Sequence, residues 1–168
     1  YVRSFYPGDM NMANDVAMTT PVIQPENVYG FENFNTLTPP NWEKLWTVED
    51  VNSDGTWEMV SAYGVGGSNT ASYPGDPAVA ADDWLFAPGA YLLAGSSYSL
   101  DFSYRSRDGS PQTLEVAWGT SPDPASMTVF ATYSNFTNTS FMQGLGQYGV
   151  PPFFNTPNVA QMYYIGFR

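Results

Sequence analysis

The stretch Ser97-Tyr98-Ser99-Leu100-Asp101-Phe102-Ser103-Tyr104-Arg105 decides the predicted fold class. Its apolar side chains alternate with serine and aspartate, which is the period-2 pattern of a β-strand with one face on the core. We therefore predict a single strand over 97–105. Its buried face should carry Leu100 and Phe102, and the opposite face should carry Ser99 and Asp101.

Shorter patterns of the same kind recur along the chain and are separated by clusters of turn residues. They predict further strands at 29–33, 45–49, 57–62, 82–86, 112–119, 127–132 and 161–167. Segments 63–81 and 133–160 are rich in Gly, Ser, Asn and Pro and are predicted to be long loops, with one helical turn near 123–127. These patterns favour an all-β fold, a two-sheet antiparallel jelly-roll sandwich with long loops.

The first 25 residues form a separate unit in this interpretation. Strand patterns at 2–6 and 16–23 flank the turn-rich segment 7–15, which predicts a β-hairpin. Residues 1–25 are either an N-terminal hairpin packed on the main domain or the tail of a preceding immunoglobulin-like module, whose last two strands this hairpin resembles. Residues 26–168 would be the jelly-roll domain, which we expect to be C-terminally incomplete because the final strand pattern runs to the last residues.

Composition excludes several classes of function. The net charge of −11 disfavours nucleic acid as a partner, because binding to phosphates needs a basic surface. The chain has no Cys and no His, so the Ser-His-Asp triad and the commonest zinc ligand are absent, and a hydrolase would have to rely on carboxylates. No apolar run approaches the roughly 20 residues of a membrane span, so we expect no membrane insertion.

A cation-binding motif lies between two tryptophans, Trp46 and Trp57. Asp50, Asn52 and Asp54 are alternate residues that can turn three side-chain oxygens to one centre, and Gly55 permits the sharp turn that follows. The bidentate Glu and the flanking helices of an EF-hand are missing. The motif therefore predicts a Ca²⁺ loop inside a β protein, and the alternative is an Asx-rich turn between strands.

An ordered series of short motifs resembles the cleaved-adhesin or choice-of-anchor J family. These motifs are Phe31-Glu32-Asn33-Phe34, Pro40-Asn41-Trp42, the Asp50 loop with Trp57, Asp82-Asp83-Trp84-Leu85-Phe86-Ala87-Pro88 and Leu93-Ala94-Gly95-Ser96-Ser97-Tyr98-Ser99-Leu100-Asp101-Phe102. The similarity covers residues 29–168, and 115–120 and 163–167 also fit it. The family consists of jelly-roll modules with MAM-like topology in large secreted and surface proteins of Bacteroidetes-type bacteria, including the haemagglutinin regions of gingipains.

The resemblance implies further site residues and a location. Glu32 corresponds to an acid that lies near calcium in the family. Asp83, or its neighbour Asp82, is expected either to turn toward the cation or to cap the start of the strand, and we assign Asp83 as the ligand. The family usually continues into a C-terminal strand with a calcium-binding Asp, which this sequence does not show. An extracellular or cell-surface location is implied.

Three tyrosines in Gly-rich loops are candidate contacts for a ligand: Tyr63, Tyr73 and Tyr148. The tryptophans are expected to be mostly core, since each aromatic side chain buries about 150–250 Å².

These observations lead to a predicted function and two alternatives. The predicted function is a non-catalytic adhesion or ligand-binding module, monomeric within a larger chain, that binds an extracellular glycan or protein. The first alternative is a carbohydrate-active jelly-roll enzyme with a carboxylate pair such as Glu58 and Glu115. The second is a structural accessory domain beside a protease, with no ligand of its own.

Overall fold

A computed structural model describes residues 46–75, 79–95, 98–144, 153–154 and 158–168. The predicted hairpin at 1–25, the predicted strand at 29–33, Glu32 and Tyr148 lie outside the described residues.

The described chain is built almost entirely of short strands. They are β1 (Thr47–Glu49), β2 (Glu58–Val60), β3 (Thr70–Ser72), β4 (Trp84–Phe86), β5 (Ala90–Leu92), β6 (Tyr98–Ser99), β7 (Ser103–Tyr104), β8 (Gln112–Gly119), β9 (Thr128–Phe136), β10 (Met142–Gln143), β11 (Phe153–Phe154) and β12 (Gln161–Phe167). Two single-turn 3₁₀-helices complete the described structure, at Val65–Gly67 and Pro124–Ser126. In the described residues no helix is long and apolar enough to cross a membrane.

The main sheet has six strands, and every strand pair described is antiparallel. Its order is β1-β4-β12-β8-β9, with β5 pairing to the first part of β12. Three two-stranded sheets accompany it: β2 with β3, β6 with β11, and β7 with β10. The predicted all-β, antiparallel class is therefore confirmed, and the jelly-roll arrangement stays a prediction.

Strand β12 lies in the middle of the main sheet, and its Gly166 explains how tightly the strands pack. Gly166 is opposite Phe86 of β4 on one side and Ala117 of β8 on the other. A Cβ at this position would lie 3.0 Å from the Trp84 ring and 3.2 Å from the Phe86 ring. The absent side chain gives these two rings, which stack with centroids 5.5 Å apart, room against the sheet.

Both faces of β4 are buried. On one face Leu85 packs with Trp46, and Trp57 of the segment before β2 adds to this cluster. On the other face Trp84 and Phe86 pack with Ala117. A strand covered on both sides reads as a continuous apolar run, which is why Trp84-Leu85-Phe86 shows no alternation.

The predicted strand at 97–105 is wrong as a single element. The structure divides it into β6 and β7, which pair with different strands, β11 and β10. Leu100 and Phe102, predicted to be buried, are only half-buried, and they lie in the segment between the two strands. Phe102 packs there against a ring cluster with centroid distances of 5.3–5.8 Å.

The predicted loops also contain strands that their composition concealed. Strand β3 lies inside 63–81, and β9 extends to 136, beyond its predicted end at 132. Strand β10 is only two residues long, too short to show any alternation. The helical turn predicted near 123–127 is confirmed as a 3₁₀-helix whose first turn is capped by Asp123, since its Oδ1 accepts from the Ala125 N–H at 2.8 Å.

Candidate metal centre

The register of the main sheet places Asp50 beside Asp83. Strands β1 and β4 are antiparallel, with Glu49 opposite Trp84 as the last pair of the ladder. Asp50 follows Glu49 and Asp83 precedes Trp84, so the two acids lie opposite each other just beyond the ladder. Two acids far apart in sequence therefore meet because they end the same strand pair.

The loop after β1 turns back over this ladder end. Ser53 has a φ of 62°, and Gly55 has a φ of 134°, which a side chain would strain. The Asp50 Oδ1 accepts a hydrogen bond from the Ser53 N–H at 2.5 Å, an Asx-type turn that fixes the bend. This turn brings Asp54 back toward Asp50.

The β2–β3 ladder ends at the same place. Glu58 is opposite Ser72, and one residue further are Trp57 and Tyr73, whose ring centroids are 6.0 Å apart. The Tyr73 hydroxyl donates to Asp54 Oδ1 at 2.8 Å. The Trp57 Nε1–H donates to the Asp83 backbone carbonyl at 3.1 Å. Two ladder ends are thus held together through these aromatic donors.

The result is an acidic cluster of Asp50, Asp54 and Asp83. One carboxylate oxygen from each lies within 4.8 Å of the others. Asp50 is exposed, Asp54 is half-buried, and Asp83 is only 2% exposed. The cluster therefore opens to solvent on the Asp50 side and is closed behind Asp83.

Asp83 is the unusual member of the cluster. Both oxygens of its carboxylate are buried, and neither has a hydrogen-bond partner among the described residues. Burial raises the pKa of Asp83, the nearby Tyr73 hydroxyl opposes this in part, and the neighbouring carboxyl groups of Asp54 and Asp50 raise the pKa further. Burial also raises the pKa of the Tyr73 hydroxyl far above its ordinary value, with the hydrogen bond to Asp54 as the next cause, so Tyr73 remains a donor. A buried carboxylate of this kind is costly unless a proton or a cation joins it.

The donor set favours a hard cation. All three side chains offer oxygen, and the chain has no His or Cys to supply the nitrogen or sulfur that zinc prefers. Oxygens on opposite sides of one Ca²⁺ lie about 4.6–5.2 Å apart, because each Ca–O bond is about 2.3–2.6 Å. For Mg²⁺ the same distance is about 4.0–4.2 Å. One oxygen of each carboxylate lies within 4.8 Å of the others, which is compatible with all three binding one divalent cation.

Asn52 and Asp82, both considered as ligands, take other roles in the structure. The Asn52 Nδ2–H₂ donates to Asp54 Oδ2 at 3.2 Å and to the Ala80 carbonyl at 2.8 Å, so its amide joins the two loops. The direct ligation predicted for Asn52 stays a prediction. Asp82 turns away from the cluster and pairs with Arg168 at 3.2 Å. Asp83 is the one of the two neighbouring acids whose carboxylate lies in the cluster.

The predicted ligand-contact tyrosines are placed in different surroundings. Tyr63 is exposed in its loop, as a contact residue should be. Tyr73 is half-buried, with its ring on Trp57 and its hydroxyl on Asp54, so it forms a wall of the acidic cluster. Sequence reasoning missed this role, because only the β2–β3 register reveals it.

The carboxylate pair considered for catalysis is divided between two sheets. Glu58 is exposed on β2, and Glu115 is on β8 of the main sheet. Glu115 forms an ion pair with Arg168 and exchanges two backbone hydrogen bonds with it, at 2.7 and 2.9 Å. No distance among the described residues brings Glu58 and Glu115 together as a pair, so the carboxylate pair stays a prediction from the sequence.

Comparison with protein-family models, with curated proteins and with solved structures found no match for this chain. The family resemblance of the sequence therefore stays a prediction.

Proposed function

We propose that this chain is a non-catalytic binding module of a larger secreted or cell-surface bacterial protein, and that one Ca²⁺ at the acidic cluster stabilises it. The observation that carries the metal is Asp83, a buried carboxylate that has no hydrogen-bond partner in the described part of the chain and faces two further carboxylates. Three carboxylates so close together repel one another, and a divalent cation converts that repulsion into attraction.

The cation would act as a structural tie. It would join the loop after β1 to the segment before β4, which the Asn52 amide and the Trp57 indole already connect. Three carboxylates supply between three and six of the roughly 6–8 oxygens that Ca²⁺ takes, and water or backbone would complete the set on the exposed Asp50 side.

Binding rather than catalysis is supported by what the chain offers chemically. It has no histidine, and Glu115, one of the two carboxylates considered for catalysis, forms an ion pair with Arg168. The proposed adhesive role, its extracellular setting and its glycan or protein ligand rest on the resemblance to cleaved-adhesin modules. The same resemblance supports a monomeric module inside a longer chain.

Thermal unfolding with EDTA and with millimolar Ca²⁺ tests the metal. Calcium should raise the melting temperature, because a ligand that binds only the native state adds about 2.7 kcal/mol at one hundred times its Kd. Mg²⁺ at the same concentration should raise it less.

Two isosteric variants make the test specific. Asp83→Asn should abolish the calcium response, whereas Asp82→Asn, which removes the same charge one residue away, should keep it. Equal melting temperatures of the unmodified protein with EDTA and with calcium would overturn the proposed metal. Equal responses of the two variants would overturn its location.

A further inference from the structure

Two of the few cations in this acidic chain lie near the exposed Tyr63, one at its backbone carbonyl and one at its ring. The chain contains five Lys and Arg residues against sixteen Asp and Glu. Arg105 and Arg107 both lie in the segment after β7, close to Tyr63. Together with Phe141 these residues form what we call the arginine–aromatic patch.

Arg105 joins two loops within the patch. Its Nη2–H donates to the Tyr63 carbonyl at 2.8 Å, and its Nη1–H donates to the Thr139 carbonyl at 3.2 Å. The guanidinium lies 4.6 Å from the centre of the Phe141 ring, within the range of a cation–π contact. Arg105 therefore fixes the position of the loop that carries Tyr63.

Arg107 and Tyr63 form the exposed part of the patch. The Arg107 guanidinium lies 5.6 Å from the centre of the Tyr63 ring. Arg107 is exposed, and Tyr63 is 48% exposed. Both side chains are therefore open to a ligand from solvent.

The turn that carries Arg107 is rigidly held. Ser106 is 1% exposed, its Oγ accepts from the Gly109 N–H at 3.1 Å, and it donates to the Ser110 carbonyl at 2.9 Å. The Ser106 N–H also donates to the Asn138 carbonyl at 2.8 Å. A ligand would thus meet a preformed turn and would not have to order it, which lowers the cost of binding.

The loop that carries Tyr63 is equally well defined. The Gly64 N–H donates to the Ser68 carbonyl at 2.7 Å, and the Ala62 N–H donates to Asn69 Oδ1 at 3.3 Å. A Cβ on Gly64 would lie 2.4 Å from the Asn69 carbonyl oxygen, so the loop closes too tightly for any other residue.

The patch arginines differ from Arg168 in their charge balance. Arg168 forms ion pairs with Asp82 and Glu115. Within the described ranges, Arg105 and Arg107 form no ion pair with a carboxylate. The nearest acid in sequence, Asp108, turns into its own loop, where its Oδ1 accepts from the Ser110 N–H at 2.9 Å.

We propose that the arginine–aromatic patch binds a carboxylate-bearing sugar unit of an acidic polysaccharide. A guanidinium presents paired N–H donors whose spacing matches the two oxygens of a carboxylate. A uronic acid carries its carboxylate at the edge of a pyranose ring, and the C–H groups of that ring pack on an exposed aromatic side chain such as Tyr63. The inference deepens the proposed binding role and rests on it for its biological meaning.

The negative charge of the remaining surface should confine an acidic ligand to the patch. With a net charge of −11, the chain repels an acidic polymer almost everywhere. The exposed Arg107 guanidinium, which has no carboxylate partner among the described residues, is where a carboxylate gains short-range contacts that offset this repulsion, with Arg105 adding positive charge beside it. Binding should therefore be local and should depend on individual side chains.

Binding to hyaluronan oligosaccharides, whose repeat contains a uronic acid, tests the proposal by titration calorimetry. Dextran serves as the neutral polysaccharide and poly-glutamate as the carboxylate polymer without sugar rings. The protein should bind hyaluronan and neither of the other two. Absence of hyaluronan binding, or equal binding to poly-glutamate, would overturn the proposal.

Variants assign the binding to the patch. Arg107→Gln should weaken hyaluronan binding by about tenfold or more, since a charge-assisted hydrogen bond contributes about 1.5–3 kcal/mol. Tyr63→Ala should weaken it as well. The matched control is Arg168→Gln, which changes the net charge equally at a site away from the patch and should leave affinity within about twofold. Equal effects of Arg107→Gln and Arg168→Gln would overturn the assignment.

The calcium-dependent melting temperature of the same samples separates the two proposals. A protein that responds to calcium but does not bind hyaluronan would contradict the patch and leave the metal intact. A protein that binds hyaluronan without any response to calcium would contradict the metal and leave the patch intact.

Discussion

The acidic cluster and the arginine–aromatic patch handle charge in opposite ways. Asp83 is buried, and its oxygens have no hydrogen-bond partner among the described residues. Arg107 is exposed and lies against an aromatic ring. A buried, unsatisfied charge lowers the stability of the fold until a counterion arrives, whereas an exposed charge remains solvated. The cluster should therefore govern folding stability, and the patch should govern only binding.

The two regions also differ in what holds them. The cluster lies at the ends of two strand ladders, β1–β4 and β2–β3, so its geometry depends on the sheets. The patch is held by hydrogen bonds between loops, through Arg105 and Ser106. Substitutions in the sheet core should therefore disturb the geometry of the cluster more than that of the patch.

The largest effect should follow Phe86→Ala. Phe86 is fully buried, stacks on Trp84 and lies three residues after Asp83. Its loss should lower the free energy of unfolding by about 3–5 kcal/mol, measured by urea titration. The calcium response should weaken as well, because β4 positions Asp83. A loss below about 1 kcal/mol would show that β4 is not part of the core.

An intermediate effect, with a characteristic pH dependence, is expected for Asp83→Asn. Without metal at neutral pH, the variant should be more stable than the unmodified protein by on the order of 1–3 kcal/mol, because an unsatisfied buried charge is removed. Burial and the acidic neighbours raise the pKa of Asp83 above its ordinary value of 3.8. Between 3.8 and the raised folded-state pKa, the folded protein therefore binds more protons than the unfolded chain. The stability that the protonated carboxyl provides is therefore present at low pH and is lost as pH rises through the folded-state pKa.

The measurement is the difference in unfolding free energy between the two proteins across a pH series with EDTA. The unmodified protein should become less stable relative to Asp83→Asn as pH increases, and calcium should reverse the trend because it competes with the proton. A difference that does not change with pH would contradict the buried, acidic environment of Asp83.

The smallest effect on stability should follow Arg107→Gln. An exposed cation–π contact contributes about 0.5–1 kcal/mol, and surface substitutions usually change stability by about 0.5 kcal/mol or less. Urea unfolding should hardly distinguish this variant from the unmodified protein, while hyaluronan binding should. A stability loss as large as that of Phe86→Ala would remove the contrast between the two regions.

The sequence predicted those features that depend on local pattern. Strands with several residues of clear apolar character, such as Leu114, Val116 and Trp118 in β8, lie where they were expected. The oxygen-rich loop at Asp50 was visible because its oxygen-bearing side chains are spaced by two along the chain. These signals need no knowledge of the fold.

The features that were missed depend on long-range register. Tyr73 reaches Asp54 only because β2 pairs with β3, and strands of three residues carry too little periodicity to be detected. The break between β6 and β7 arises because each pairs with a different partner, β11 or β10. The arginine–aromatic patch was missed for the same reason, since Tyr63 and Arg107 are brought together by loops from separate sheets.

The central position of β12 has a consequence for biosynthesis. Residues 161–167 are translated long after β4 and β8, yet they are the strand that joins those two. Until β12 has been synthesised, the edges of β4 and β8 that pair with it have no partner and are open to pairing with other chains. Such non-local pairing also slows folding, because a long loop must close before the contacts reward it. We expect the nascent chain to depend on protection from aggregation until its last described strand has emerged from the ribosome.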